Sequence, residues 1–302
     1  MHYPPSELKK FWKSVERLRK LAKFSHAQMA DLLIMTDKNY EIRNESKTPP
    51  NAMGVLSLTK QFNLDPRNFV AGNVDWDTLV RRLSGHSDAI PERYNVAAFS
   101  RRRTSNHVLS YLDRNLGSDY VSDLLNRFDL TERVFSDPDA YINLQFLTDL
   151  CDHLTKLGLQ SNQFKAIGYE SARINKNLGF SQHILESLKI KDVYAFLVDN
   201  LMGYFDRNYK YRVVRLTETS CIVEAEQNQD VADALGKKAI GSTATCQIKA
   251  GVGASFPMSL GLPVADVRET KCVHRGDPIC TFEFNFENSV FARKRGLLSA
   301  YN

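Results

Sequence analysis

The chain has 302 residues, of which 43% are hydrophobic and 25% charged, with 15 glycines and 10 prolines. This composition is typical of a folded globular protein with room for two domains, and it excludes collagen, coiled-coil rods and bulk disorder. No run approaches the roughly 18–20 apolar residues of a membrane span, and the start MHYPPSELKK lacks the apolar core of a secretory signal. We therefore expect a cytoplasmic protein that does not associate with membranes.

Charge and cysteines are both unevenly distributed. The formal net charge of +5 divides into +7 over residues 1–110 and −2 over the remainder. A basic first third is typical of a nucleic-acid-binding domain joined to a sensing or catalytic body, with chance variation of surface charge as the alternative. The cysteines are too few for a disulfide scaffold, and the three nearest the C-terminus favour metal binding: Cys151, Cys221, Cys246, Cys272 and Cys280.

Residues 1–83 are predicted to form an all-helical domain. Apolar residues recur at three- and four-residue spacing in the first helix, at Leu8, Phe11, Trp12, Val15, Leu18 and Leu21. A later helix has a second inward face, at Val55, Leu56, Leu58, Thr59 and Phe62. Residues 84–115 are predicted to be a connector, because their first part is polar and rich in turn formers. Its arginines, Arg101–Arg103, are expected to be solvated.

Ser25 and Gln28 form a capping box, which predicts that a helix begins at His26. Met29, Ala30, Leu32 and Leu33 are its expected buried face. After a tight turn at Ile34, Met35 and Thr36, the Thr36 side chain is placed to cap a second helix.

Two short helices joined by a tight turn resemble the Cro/repressor-type helix-turn-helix family over about residues 8–70. The resemblance implies that Gln28 positions the domain on a phosphate. It also implies that the start of the second helix reads base edges, through Asp37, Lys38, Asn39 and Tyr40, with Arg43 further along. Ile34 departs from the family, which usually has glycine there, and β-branched residues resist positive φ. The alternative is a helical domain that contacts proteins rather than DNA.

Residues 116–288 are predicted to form an α+β domain, with helices first and an antiparallel sheet after them. Helical patterns run from about 107 to 206, and Asp137-Pro138-Asp139 indicates a helix start. From about 210 the period changes to two: YRVVRLTET and SCIVEAEQ predict a hairpin, and VADVRETKCV and PICTFEFNF predict later strands. Residues 289–302 form a basic tail.

The most specific constellation is Cys246, Glu269, Cys272 and Cys280. Gly276-Asp277-Pro278 is a turn sequence, so Cys272 and Cys280 can face each other across a hairpin. Three thiolates and one carboxylate would make a closed tetrahedral set, which is the form of a structural zinc site. Three alternatives remain at this point: Glu269 is an ordinary exposed strand residue, His274 replaces it as the fourth ligand, or the cysteines are ordinary small core residues.

The run from Glu269 to Phe284 resembles the closing hairpin of the 4-vinyl-reductase domain family, which includes the aromatic-sensing domains of phenol- and xylene-responsive activators. The likeness extends over about residues 116–287. It implies a helical layer on an antiparallel sheet, a homodimer, zinc held by the cysteines and Glu269, and a small apolar ligand between helices and sheet. Candidate pocket residues, each of which core packing would also explain, are Phe196, Tyr204, Phe205, Tyr211 and Phe256.

The histidines in the helical part of this domain are His153 and His183, and both tryptophans lie in the first domain. Because the phenol sensors hold the ligand hydroxyl with a histidine and a tryptophan, we do not expect a phenol. A larger apolar or lipid-like molecule, or no ligand, is left open.

The resulting hypothesis is a one-component transcriptional regulator that binds double-stranded operator DNA and is not an enzyme. A protein-interaction adaptor is the alternative. A tetrapyrrole vinyl reductase is disfavoured, because the sequence has no dinucleotide fingerprint and a closed zinc site cannot act as a Lewis acid.

Overall fold

A computed structural model describes residues 5–86, 88–175 and 189–294. His183 and residues 295–302 of the basic tail lie outside the described residues. The fold combines helices with small antiparallel sheets, which agrees with the expected α+β class. Within the described ranges, every helix is too short or too polar to span a bilayer.

The chain forms two compact units, Met1–Pro91 with Leu116–Ser136 and Glu92–Asn115 with Asp137–Asn302. The boundaries between these units differ from the predicted domain boundaries at residues 83 and 116. Residues 92–115, expected to be a connector, belong to the second unit and include a long helix.

The first unit is helical over its described residues. Its helices are α1 (Pro5–Leu21), α2 (His26–Leu32), α3 (Asp37–Ser46), α4 (Ala52–Gln61), α5 (Pro66–Ala71), α6 (Trp76–Leu83) and α9 (Ser118–Arg127), followed by a 3-10 turn at Glu132–Phe135.

Its core is centred on the α1 stripe that the sequence predicts. Trp12 is fully buried, packs edge-on against Phe11 and Tyr40, and donates its indole N–H to the Thr48 carbonyl at 3.0 Å. In α4 the inward face is narrower than predicted, because Leu56 is 49% exposed. Gly54 lies in that face instead: a Cβ there would overlap the backbone at Leu33, so the glycine allows α4 to approach the end of α2.

The second unit contains the remaining helices and both sheets. Its helices are α7 (Glu92–Asn95), α8 (Arg103–Leu116), α10 (Leu144–Lys156), α11 (Ser161–Ile174), α12 (Ile190–Phe196), α13 (Gly203–Phe205), α14 (Gln229–Ala234), α15 (Thr243–Ala254) and α16 (Glu287–Lys294). A π-helix, Leu197–Met202, continues α12, and a 3-10 turn at Phe256–Leu260 follows α15.

The predicted strands are confirmed. β3 (Tyr209–Leu216), β4 (Ser220–Gln227), β5 (Asp266–Lys271) and β6 (Cys280–Asn285) form an antiparallel sheet in the order β3-β4-β6-β5. Phe282 of the inner strand β6 is paired with Val223 of β4 on one side and with Glu269 of β5 on the other. A two-stranded sheet joins β1 (Ser100–Arg101) to β2 (Tyr141–Ile142).

Helix α15 crosses α11 at a pair of glycines. A Cβ at Gly168 or at Gly251 would overlap the backbone of the opposite helix, at Ile248 and Lys165 respectively. The two backbones therefore lie in direct contact, which fixes α15 beside the sheet.

Two local predictions are wrong. Asp137 does not start a helix: its carboxylate accepts hydrogen bonds from the N–H groups of Asp139 and Ala140, which makes a turn instead. The arginines at 101–103 are not solvated, since all three are half-buried and Arg103 pairs with Asp139 at 2.6 Å. The physical reason is that β1 pairs with β2 and draws this segment into the second unit.

Candidate functional sites

The four predicted metal-site residues lie together. Cys246 comes from the first turn of α15, Glu269 from β5, Cys272 from the residue that follows β5, and Cys280 from the start of β6. One ligand atom from each lies within 4.8 Å of all the others. His274 is outside this group, so among the described residues the geometry favours Glu269 over His274 as the fourth donor.

The spacing of the group matches tetrahedral coordination. Zn–S bonds of about 2.3 Å place two sulfur atoms of a tetrahedron about 3.8 Å apart. The Cys246 and Cys280 sulfur atoms are 3.7 Å apart. The cysteines are buried, so a metal held here would be enclosed by protein.

The Glu269 carboxylate is oriented so that one of its oxygens can bind a further group. Its Oε2 accepts from Gln247 Nε2 at 3.0 Å and from Arg275 Nη1 at 2.9 Å, while its Oε1 is buried and no described residue donates a hydrogen bond to it. An unpaired buried carboxylate oxygen is costly unless something binds it. The two partners of Oε2 orient the carboxylate, as outer-shell groups do at metal sites.

The hairpin turn brings the two later cysteines together. Gly276 takes φ 94°, and the Asp277 carboxylate accepts a hydrogen bond from the Cys272 N–H at 2.8 Å. The Val273 N–H points at Cys280 Sγ at 3.5 Å. The pKa of Cys280 is lowered, first by a hydrogen bond from Cys246, which favours the thiolate form that metals bind. The donor, Cys246, has a raised pKa, because its S–H is held by Cys272 and Cys280.

A cavity of about 410 Å³ lies in the second unit, and most of its wall is apolar surface although about half of the lining residues are polar or charged. Three of the five predicted pocket residues line it: Phe205, Tyr211 and Phe256. Phe196 and Tyr204 do not line it, and Tyr204 is 42% exposed. The π-helix contributes Leu197, Leu201 and Met202 to the wall. Segments of this kind recur at functional sites.

Sequence reasoning missed the polar residues of this cavity. Lys249 lies one turn after Cys246 in α15, and its Nζ is buried 3.8 Å from Asp206 Oδ2 and 2.8 Å above the centre of the Tyr209 ring. Burial lowers its pKa, and Asp206 opposes that shift. The spacing Cys246-x-x-Lys249 could have indicated that the lysine shares a face with the metal ligand.

His107 is the second missed residue. It lies on α8, is 4% exposed and lines the cavity. Burial lowers its pKa to about 4, so the ring is neutral at pH 7. The sequence places it in the connector, and only the helical pattern of VLSYLDRNLG indicates that this segment packs.

In the first unit the predicted caps are confirmed. Ser25 accepts from the Gln28 N–H, and the Gln28 side chain accepts from the Ser25 N–H, so α2 begins at His26. Thr36 accepts from the Asn39 N–H and starts α3. Ile34 takes φ 54° between the two helices, the left-handed conformation for which glycine is preferred.

The predicted DNA-contacting residues divide into two groups. Gln28, Asp37, Lys38 and Asn39 are exposed. Tyr40 is fully buried, because α3 packs against α1 at this position, and its hydroxyl donates to Glu16. The assignment of Tyr40 as a base-reading residue is therefore wrong.

Arg43 is only half-buried, and its guanidinium donates to the Pro49 carbonyl. This contact ties the side chain to the segment after α3. A groove on the same surface is lined by Asp31, Ile34, Met35, Thr36, Asn39, Arg43 and Asn51.

Comparison with known proteins finds no family model that matches this chain and no curated protein that resembles it.

Proposed function

We propose that the chain is a one-component transcriptional regulator, in which the first unit binds operator DNA and the second senses a small apolar ligand. The observation that carries the proposal is the α2–turn–α3 pair, whose two helices are capped and whose second helix begins with three exposed polar residues, Asp37, Lys38 and Asn39. A short helix that begins with exposed polar residues can enter a major groove and reach base edges.

Two further features support DNA as the partner. Asn39 lines the surface groove and has the amide that pairs bidentately with adenine. Gln28 keeps its side-chain N–H₂ available for a phosphate, because the capping box uses the amide oxygen.

In the second unit, the proposal assigns a structural zinc ion to Cys246, Glu269, Cys272 and Cys280. Three soft thiolates select zinc, and four protein donors leave no open position for catalysis. The cytoplasmic regulator would act as a homodimer, with ligand binding favouring the conformation that has the higher or the lower affinity for DNA.

The experiment is selection of bound fragments from sheared genomic DNA by the purified full chain. We expect an enriched palindrome, with half-sites one helical turn apart or a multiple of that spacing. Asn39→Ala should weaken operator binding about 5- to 150-fold, since a bidentate base contact contributes about 1–3 kcal/mol. Tyr40→Phe is the matched control: it should lower the free energy of unfolding yet change operator affinity less than about twofold, because Tyr40 is buried.

A protein-interaction adaptor is the second candidate, favoured by exposed apolar side chains around the same helices. Ile42 is 51%, Met53 64% and Leu56 49% exposed. Exposed apolar residues that cluster can mark a protein contact. Fragments without any shared sequence would reject the regulator and leave this candidate.

A further inference from the structure

Each of the two cationic side chains that line the cavity among the described residues faces a carboxylate. Lys249 faces Asp206 at 3.8 Å, and Arg103 is bound by Asp139 at 2.6 Å and by the Asn175 amide oxygen at 3.1 Å. A ligand carboxylate would therefore add a charge without an unpaired cation to neutralise it, and burying such a charge is costly. The cavity wall therefore favours an uncharged ligand over a ligand with a carboxylate.

Lys249 nevertheless lacks a hydrogen-bond acceptor. Its Nζ lies over the Tyr209 ring but is buried without a hydrogen-bond partner among the described residues, and 3.8 Å to Asp206 is too long for a hydrogen bond. Asp206 is occupied by other donors: Ser100, Asn208 and the Tyr211 hydroxyl, the last at 3.0 Å. The ammonium group thus offers N–H donors to whatever fills the cavity.

His107 requires a hydrogen-bond donor, whereas Lys249 requires an acceptor. Within the part of the chain that the structure describes, Nε2 of His107 is buried without a hydrogen-bond partner. The hydrogen bond that the ring makes with the Arg103 backbone must therefore use Nδ1, which carries the proton of the neutral ring. Nε2 is left as an acceptor that no donor of the described residues satisfies.

We propose that the cavity binds an uncharged apolar molecule bearing a hydroxyl group, whose oxygen accepts from Lys249 and whose proton is donated to Nε2 of His107. A hydroxyl is the smallest neutral group that supplies both an acceptor and a donor. The apolar part of the ligand contacts the surrounding wall, which includes Leu144, Leu147, Ile248, Val252 and Phe256. The inference rests on the proposed function only in treating this cavity as the ligand site.

The test is calorimetric titration of the full chain, without DNA, by three probes: 1-decanol, decyl methyl ether and decanoate. The ether can accept from Lys249 but cannot donate to His107, so we expect the alcohol to bind about 3- to 10-fold more tightly than the ether. Decanoate should bind more weakly than the alcohol.

Two variants separate the two hydrogen bonds. Lys249→Met should weaken both the alcohol and the ether by about tenfold or more, because hydrogen bonds to charged groups are the stronger kind. His107→Phe should abolish the preference for the alcohol over the ether while leaving ether affinity nearly unchanged.

Matched controls keep the result interpretable. Lys156→Met removes an exposed lysine of the same unit and should change neither affinity. Lys249→Gln keeps an N–H donor and should recover part of the alcohol affinity. Melting curves identify any variant that is not folded.

The proposal is overturned if decanoate binds more tightly than decanol, if Lys249→Met leaves folded protein with unchanged affinity, or if none of the probes binds. The titration contains no DNA, so its outcome is independent of the operator selection. Failure of the operator selection would contradict only the DNA-binding proposal, and failure of the titration would contradict only the ligand proposal.

Discussion

The α2–α3 pair and the cysteine cluster are held together over different distances along the chain. In α2 and α3 each cap joins residues three positions apart, as Ser25 to Gln28 and Thr36 to Asn39. In the cluster, the Cys246 and Cys280 sulfur atoms, 3.7 Å apart, belong to residues 34 positions apart in the chain. The helix pair is therefore specified by local hydrogen bonds, whereas the cluster exists only after α15 has packed beside the sheet. We therefore expect substitutions at the cysteine cluster to change stability more than substitutions in the α2–α3 pair.

The largest effect is expected at the long-range site. Cys280→Ser should reduce bound zinc from about one ion per chain to a small fraction. It should also lower the melting temperature of the second unit by about 8–16 °C, since a ligand held at a thousand times its Kd contributes about 4 kcal/mol. Metal analysis and calorimetry measure both quantities.

Cys151→Ser is the control, because Cys151 is equally buried but lies on α10, away from the cluster. It should cost up to about 2 kcal/mol of stability and leave the zinc content unchanged. Full zinc content in Cys280→Ser would contradict the metal-site assignment.

The helix crossing that positions Cys246 gives the next effect. Gly251→Ala should lower the free energy of unfolding by about 2–3 kcal/mol, because the added methyl group overlaps the Lys165 carbonyl oxygen and forces α11 and α15 apart. Gly203→Ala is the matched control: a Cβ there meets nothing within 4 Å, so the change should stabilise by about 0.5–1 kcal/mol. Urea titration followed by circular dichroism compares them, and equal effects at both glycines would contradict the close crossing.

The same distinction explains which features could be predicted from the sequence. The caps of α2 and α3 and the strand pairs follow from short spacings or from alternation of apolar residues. The four clustered donors were predicted from the hairpin spacing of Cys272 and Cys280 together with the family resemblance, which adds Glu269 and the distant Cys246. Tyr40 was misassigned because the sequence of α3 has a weak apolar pattern and one buried residue, so only its packing on α1 decides which side faces inward.

Contacts between segments that are distant in the chain could not be predicted from the sequence for a related reason. Lys249 meets Asp206 from another element, and His107 reaches the cavity from a segment whose polar beginning indicates a linker. The glycines of α15 are understood only when α11 is beside them. In each case the residue's role is set by a neighbour that no local pattern specifies.

The smallest effect is expected in the turn of the helix pair. Ile34 adopts φ 54° with its side chain 53% exposed, so Ile34→Gly should relieve left-handed strain of about 1–2 kcal/mol while adding the flexibility cost of glycine. We expect a net gain of about 0.5 kcal/mol in the free energy of unfolding.

Ile42→Gly provides the matched comparison, because Ile42 has almost the same exposure, 51%, but lies inside α3. There the same substitution should cost about 1 kcal/mol, since glycine weakens a helix interior. Opposite signs at two equally exposed isoleucines would show that backbone conformation, and not side-chain burial, controls stability in this locally specified region. A loss at both positions would mean instead that the Ile34 side chain stabilises the turn through contacts that outweigh its strain.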